Sequence, residues 1–194
     1  MRFLAVLVVL TASLTSNAQE KGTEYVFKEF GWKIARPSSF QVVGIDSALI
    51  QTQKGTRMIE DANDVRVDLS TFKVLIYAKK GASNFFQVSL DKFDGQKDRR
   101  WDSTTQAIKD LMYYTLSKQM PDAKFDSASS TLNIDWMRFD EFVVRVSFRD
   151  NAKAELFVLS NLYRGYQVGI TYLCLDEPTR SEIEDMLKRS TFSK

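Results

Sequence analysis

The 194-residue sequence contains no histidine, one cysteine, three prolines and eight glycines. Each shortage excludes something. Without an imidazole there is no Ser-His-Asp or Cys-His relay, no histidine-ligated zinc or haem, and no unperturbed side chain that titrates near neutral pH. A lone cysteine cannot form an internal disulfide, so stability has to come from packing. The few glycines form neither G-x-G-x-x-G nor a P-loop, which removes both familiar phosphate cradles. Charge of one sign is also lacking. With 27 Lys and Arg against 25 Asp and Glu, the net charge is +2, and the basic excess that marks a nucleic-acid binder is missing. The pairs Lys79-Lys80 and Arg99-Arg100 have acids nearby and read as solvated loop charge. No apolar run reaches the roughly 20 residues of a membrane span.

What is present begins with an address. Arg2, the apolar run Phe3 to Leu10 and the small or polar residues ending Ser16-Asn17-Ala18 fit a secretory signal cleaved after Ala18. No cysteine sits at that junction to carry a lipid. The expectation is a periplasmic or secreted protein without stable membrane insertion, in which residues 19–194 form a single domain. Hydrophobic residues make up 44% of the chain, enough for a core at this length.

Hydrophobic periodicity supplies the elements. Tyr25 to Arg36 reads as two short strands hinged near Gly31 and ended by Pro37. Residues 41–68 give no decisive pattern: Ile45 to Thr52 fits a helix or a strand, and Gly55 interrupts it. Phe72, Val74, Ile76 and Ala78 then alternate with Lys73, Leu75, Tyr77 and Lys79, and Phe86, Val88 and Leu90 alternate again after a turn at Gly81, giving a hairpin. Ser103-Thr104-Thr105-Gln106 has capping-box spacing before a helix with Ile108, Leu111, Met112, Thr115 and Leu116 on one stripe, stopped by Pro121. From Phe125 to Leu175 four strands follow, with turns at Asp135-Trp136, Arg149-Asp150-Asn151 and Arg164-Gly165. Connections that short demand an antiparallel meander. A second capping box, Thr179-Arg180-Ser181-Glu182, opens a closing helix whose buried stripe is Ile183, Met186 and Leu187. The expected class is α+β, with helices layered on a mainly antiparallel sheet.

Three stretches carry a likeness: Phe30-Gly31-Trp32-Lys33-Ile34-Ala35-Arg36-Pro37-Ser38-Ser39-Phe40, Gly165-Tyr166-Gln167-Val168-Gly169-Ile170-Thr171-Tyr172, and the end Met186-Leu187-Lys188-Arg189-Ser190-Thr191-Phe192. Together they resemble the PsbP-like superfamily, which groups photosystem PsbP proteins, Mog-type Ran-binding proteins and bacterial exported domains. The shared elements are an entry hairpin closing on P-x-x-F/W and a final helix ending in S-[ST]-F. The resemblance implies an α-β-α sandwich that acts as a binding or accessory module. Metal sites of photosystem members use histidine, so they do not carry over.

Catalytic motifs are present only as near misses. Gly81-Ala82-Ser83-Asn84-Phe85 misses the nucleophile elbow at its last position. Ser70 with Lys73 and Ser89 with Lys92 have S-x-x-K spacing, but on strands residues three apart face opposite sides. Asp140-Glu141, Glu60-Asp61 with Asp64, and Asp91 with Asp94 are the carboxylate groupings available for acid–base work. The set around Glu60 lacks the glycine and terminal glutamate of a calcium loop. Cys174, inside a strand pattern, reads as a packing thiol. No catalytic, cofactor-binding or metal-ligating residue is therefore assigned, and no cofactor is expected. Aromatics are the positive signal, at 12% of the chain. Phe85, Phe86, Trp101 and Trp136 lie at element ends and are the expected interaction surface for an unidentified protein partner. The alternative is carriage of a small apolar or lipid ligand in a pocket between helix and sheet. Nucleic acid is not expected as a partner.

Overall fold

The computed structural model describes residues 24–28, 30–93 and 101–193, with only the backbone path given for 101–104. The proposed signal at 1–18 and the acidic partner Asp94 lie outside the described residues.

Strands β1 (Glu24–Phe27) and β2 (Trp32–Ala35) form the entry hairpin. Gly31 sits at its hinge with φ +61°, in the left-handed region that favours glycine. After the two-residue strand β3 (Gln41–Val42) comes helix α1 (Ile45–Asn63), which resolves the ambiguous region. Its buried stripe is Ala48, Thr52, Gly55, Thr56, Ile59 and Ala62. Small residues let the helix lie close on its neighbours, so Gly55 is part of the contact and not an interruption. Ile45, Leu49 and Ile50 remain exposed. Large-residue periodicity is weak on this helix because most of its buried positions are small.

The hairpin of β4 (Lys73–Lys80) and β5 (Asn84–Lys92) follows the sequence reading, with one correction. A register shift between Val74 and Ile76 turns the strand over. Phe72 and Val74 consequently pack on one face of the sheet while Ile76 and Ala78 pack on the other. Helix α2 (Trp101–Gln119) starts two residues before the expected capping box. The meander is β6 (Lys124–Ile134), β7 (Met137–Ser147), β8 (Lys153–Tyr163) and β9 (Tyr166–Cys174). Its turn positions Asp135, Asn151, Arg164 and Gly165 all have positive φ, as tight returns require. Helix α3 (Glu177–Arg189) closes the chain and leads into β10 (Thr191–Phe192). Its N-cap is Asp176, whose side chain accepts the Thr179 N–H at 2.8 Å. The cap thus stands three residues ahead of the expected box, since Pro178 fits only inside the first turn.

The main sheet is antiparallel, in the order β3-β4-β5-β9-β8-β7-β6. A second sheet, β1-β2-β10, joins the entry hairpin to the C-terminal strand. Alternation along the strands creates two cores. One face of the main sheet packs on α1 and α2 through Tyr77, Phe85, Met112, Phe142 and Leu156. The opposite face packs on α3 and the small sheet through Trp32, Phe86, Phe139, Tyr172 and Ile183. The architecture is an α+β sandwich with three helices among the described residues, where the sequence pattern resolved two.

Candidate interaction surface

Trp136 is the second residue of the β6–β7 turn, at the end of the sheet that the small sheet covers. The preceding residue, Asp135, has φ 54°, and its carboxylate accepts the Phe192 N–H at 2.9 Å. In return the Trp136 indole N–H donates to the Phe192 carbonyl oxygen at 2.8 Å. Two adjacent turn residues therefore hold both backbone groups of Phe192. The Trp136 ring meets Tyr163 at 6.0 Å and Phe192 at 6.3 Å, both edge-on. Phe192 in turn stacks on the fully buried Trp32 at 5.1 Å. Trp136 is nonetheless 45% exposed. It is an aromatic anchor fixed from behind with one face open to solvent.

The neighbouring β8–β9 turn extends the surface. Leu162 and Tyr166 are exposed there, Arg164 lies over the Tyr163 ring at 5.0 Å, and Tyr166 meets Phe30 edge-on at 5.7 Å. Rigid Trp and Tyr rings with an Arg are the residue types that dominate protein-binding surfaces. The sequence reading singled out Trp136 but missed Tyr163 and Tyr166. Their signal was a Tyr on each side of a two-residue turn, which presents both rings at the same sheet end.

The other expected surface residues fare differently. Phe85 and Phe86 are completely buried, on opposite faces of β5 and in different cores. They start a strand central enough that each side is covered, so neither ring contributes to a surface. The Trp101 side chain lies outside the described residues.

The carrier reading needs an apolar pocket between helix and sheet. The space between α2 and the sheet, beside Ile108, Met112, Phe142 and Val158, holds about 10 Å³. That is room for a single water, not for a lipid.

A larger cleft of about 500 Å³ opens where the β6–β9 strands meet the start of α3. Its lining is ionic. Arg145 reaches Glu155 at 3.0 Å and Asp126 at 3.3 Å across three neighbouring strands, and Arg180 of α3 reaches the other Glu155 oxygen at 3.1 Å. Arg180 also holds Glu177 at 2.9 Å and Glu184 at 3.4 Å. Arg145, Arg180, Glu155, Asp126, Glu177 and Glu184 thus satisfy one another. Cys174 lines the same cleft, where burial, with Asp176 and Glu155 adding, pushes its thiol up to about 12. At neutral pH it is a thiol and not a nucleophile.

Several of the groups weighed as catalytic in the sequence are engaged elsewhere. Ser89 is buried while Lys92 is exposed. Glu141 is bound by the Ser130 hydroxyl, and Glu60 accepts the Val67 N–H at 2.9 Å. The Asp91 carboxylate is buried and accepts from the Thr71 hydroxyl at 2.5 Å. Among the described residues no three acidic or cysteine side chains gather in a metal-sized group.

No protein-family model and no curated protein matches the sequence. Solved structures do. The solution structure of cyanobacterial PsbP (CyanoP) from Synechocystis sp. PCC 6803 superposes with a TM-score of 0.53 at 10% identity, over 94% of this chain and 98% of that one. The chain has a PsbP-like fold. A crystal structure from Bacteroides thetaiotaomicron VPI-5482 matches over 90% of this chain at TM-score 0.44 and 10% identity, and the chain spans only 50% of it. The Saccharomyces cerevisiae Ran-binding protein Mog1p matches at TM-score 0.39 and 10% identity, over 88% of this chain and 95% of that one. The PsbP-like fold explains why the entry hairpin and the S-T-F end were recognisable together: they are the partners β2 and β10 of one small sheet. None of the helices among the described residues is long and apolar enough to cross a membrane.

Proposed function

We propose that the chain is an exported, non-enzymatic binding module that docks a protein partner on the aromatic sheet end around Trp136. Export rests on the leader at residues 1–18, with its short apolar run and small residues before Ala18. The observation that carries the binding surface is the half-exposed Trp136, locked by its bond to the Phe192 carbonyl and flanked by Tyr163. A preorganised aromatic loses little conformational entropy on binding, which is why such residues act as hot spots.

The test compares immobilised wild type, Trp136→Ala and Tyr166→Ala as baits in native periplasmic extract. A stoichiometric partner held by wild type and weakened about tenfold or more by Trp136→Ala is the expected result, a loss typical of an interface anchor. Tyr166→Ala keeps the Trp136 support intact and should weaken the same partner. Equal capture by all three folded baits, or no stoichiometric partner under gentle conditions, overturns the reading.

A further inference from the structure

The two edges of the main sheet are treated differently. At one edge β3 is only two residues long. At the other, β6 runs for eleven residues and pairs with β7 in unbroken register from Lys124↔Ser147 to Ile134↔Met137. Soluble proteins blunt such edges with proline, inward charges, bulges or a covering segment. From Ser127 to Asn133 the strand reads Ser-Ala-Ser-Ser-Thr-Leu-Asn, with no proline, charge or bulge. Its side chains are small and mostly exposed, and Lys109 of α2 meets the segment only at the Ser129 hydroxyl, to which it donates at 3.2 Å.

The direction of the open backbone groups follows from the hairpin. Ile134 and Met137 close a two-residue turn and so form a hydrogen-bonded pair, and alternate residues of β6 bond to β7. The backbones of the odd-numbered residues therefore point outward. The Phe125 carbonyl oxygen confirms the phase, because it accepts the Tyr113 hydroxyl from α2 at 3.5 Å. Phe125 is thus already occupied. Ser127, Ser129, Thr131 and Asn133 remain as an outward ladder.

We propose that this edge pairs with β6 of a second copy of the chain, antiparallel about a two-fold axis at Ser130, to give one sheet continuous through a dimer. In this register Ser127 faces Asn133, Ala128 faces Leu132 and Ser129 faces Thr131. Every pair is uncharged, and the hydroxyl pair opposes like with like. Lys124 and Asp126, the only charges on the strand, fall outside the paired segment and meet no like charge. The groove of about 370 Å³ beside the strand is lined by Lys109 and Asp110 as well as Ser127 and Ser129. One cation beside one anion is complementary to its own two-fold copy, whereas recognition of a charged peptide would call for a surplus of one sign.

The experiment is sedimentation velocity on the mature chain, with Ser129→Pro and Thr131→Lys alongside. Proline at 129 removes only an outward N–H, so the β6–β7 ladder survives. Thr131→Lys is a second, exposed disruption that leaves the backbone unchanged. Wild type should sediment at twice the monomer mass, both variants should be monomers with unchanged circular dichroism, and the Ser129 and Thr131 amides should exchange faster in Thr131→Lys than in wild type with Ser129 protected only in the dimer. A wild type that stays monomeric at about 1 mM, the weak limit of specific association, overturns the proposal. So does a dimer that either folded variant leaves intact.

Discussion

Gly31 shows how much one residue can decide. A Cβ there would stand 2.9 Å from the Ser193 carbonyl oxygen, and its φ of +61° is already costly for any L side chain. Gly31 also accepts the Ser193 N–H at 2.7 Å, so hinge and C-terminus touch through their backbones. Gly31→Ala should cost about 1 to 3 kcal/mol, measured as a lower urea midpoint with an unchanged slope. The glycine itself was legible as a hinge. Its tight contact with Ser193 was not, because nothing in local sequence reports a neighbour from the other end of the chain. Phe85 and Phe86 teach the same lesson in reverse. An adjacent aromatic pair after a turn looks like a surface feature until both faces of the strand are covered.

At the scale of elements, the caps and the small-residue helix separate what patterns can reveal from what they cannot. Asp176 lies in extended conformation and accepts the Thr179 N–H, and the Thr179 bonds hold its carboxyl below the ordinary value. Asp176→Ala should lower stability by about 1 kcal/mol, read from thermal or urea unfolding, while Ser181→Ala should be nearly neutral. That contrast separates the observed cap from the capping box expected three residues later. The β-strands from Lys124 to Cys174 were legible from the alternation of β7, β8 and β9 and from turns whose residues tolerate positive φ, although β6 is polar on both phases from Asp126 to Thr131. Helix α1 was not, because its core-facing stripe is Ala, Thr and Gly with Ile59 as its one large residue, while Ile45, Leu49 and Ile50 face out. Tertiary packing decided there, against the hydrophobic pattern.

For the whole molecule, Glu182 ties three distant segments together. It accepts the Ser39 N–H at 2.9 Å and the hydroxyls of Ser38 and Ser39, and it pairs with Lys80 at 3.3 Å. Partial burial pushes its carboxyl up, but the Ser39 bonds and Lys80 outweigh that and hold it below its usual 4.5. A folded-state value below the unfolded one means the stabilisation is complete above about 4.5 and fades as pH falls through the lower folded value. Glu182→Gln should therefore cost about 1 kcal/mol at pH 7, allowing for solvent screening at a side chain 22% exposed. Urea unfolding at pH 7 and pH 3 checks this, with the gap between wild type and variant shrinking at the lower pH. The layered class was legible because short connections force an antiparallel meander. The division into two sheets was not, since it depends on β10 returning to β2.

That return has a consequence in time. Thr191 and Lys33 are partners about 160 residues apart, so the entry hairpin gains its third strand only after nearly the whole chain is available. Contacts of such long range slow folding, and here they involve residues at both extremes of the polypeptide. During synthesis the first strands must wait, with Trp32 and Ile34 uncovered, until Thr191 and Phe192 are available to pair. The chain's own tail is what ends that vulnerable interval.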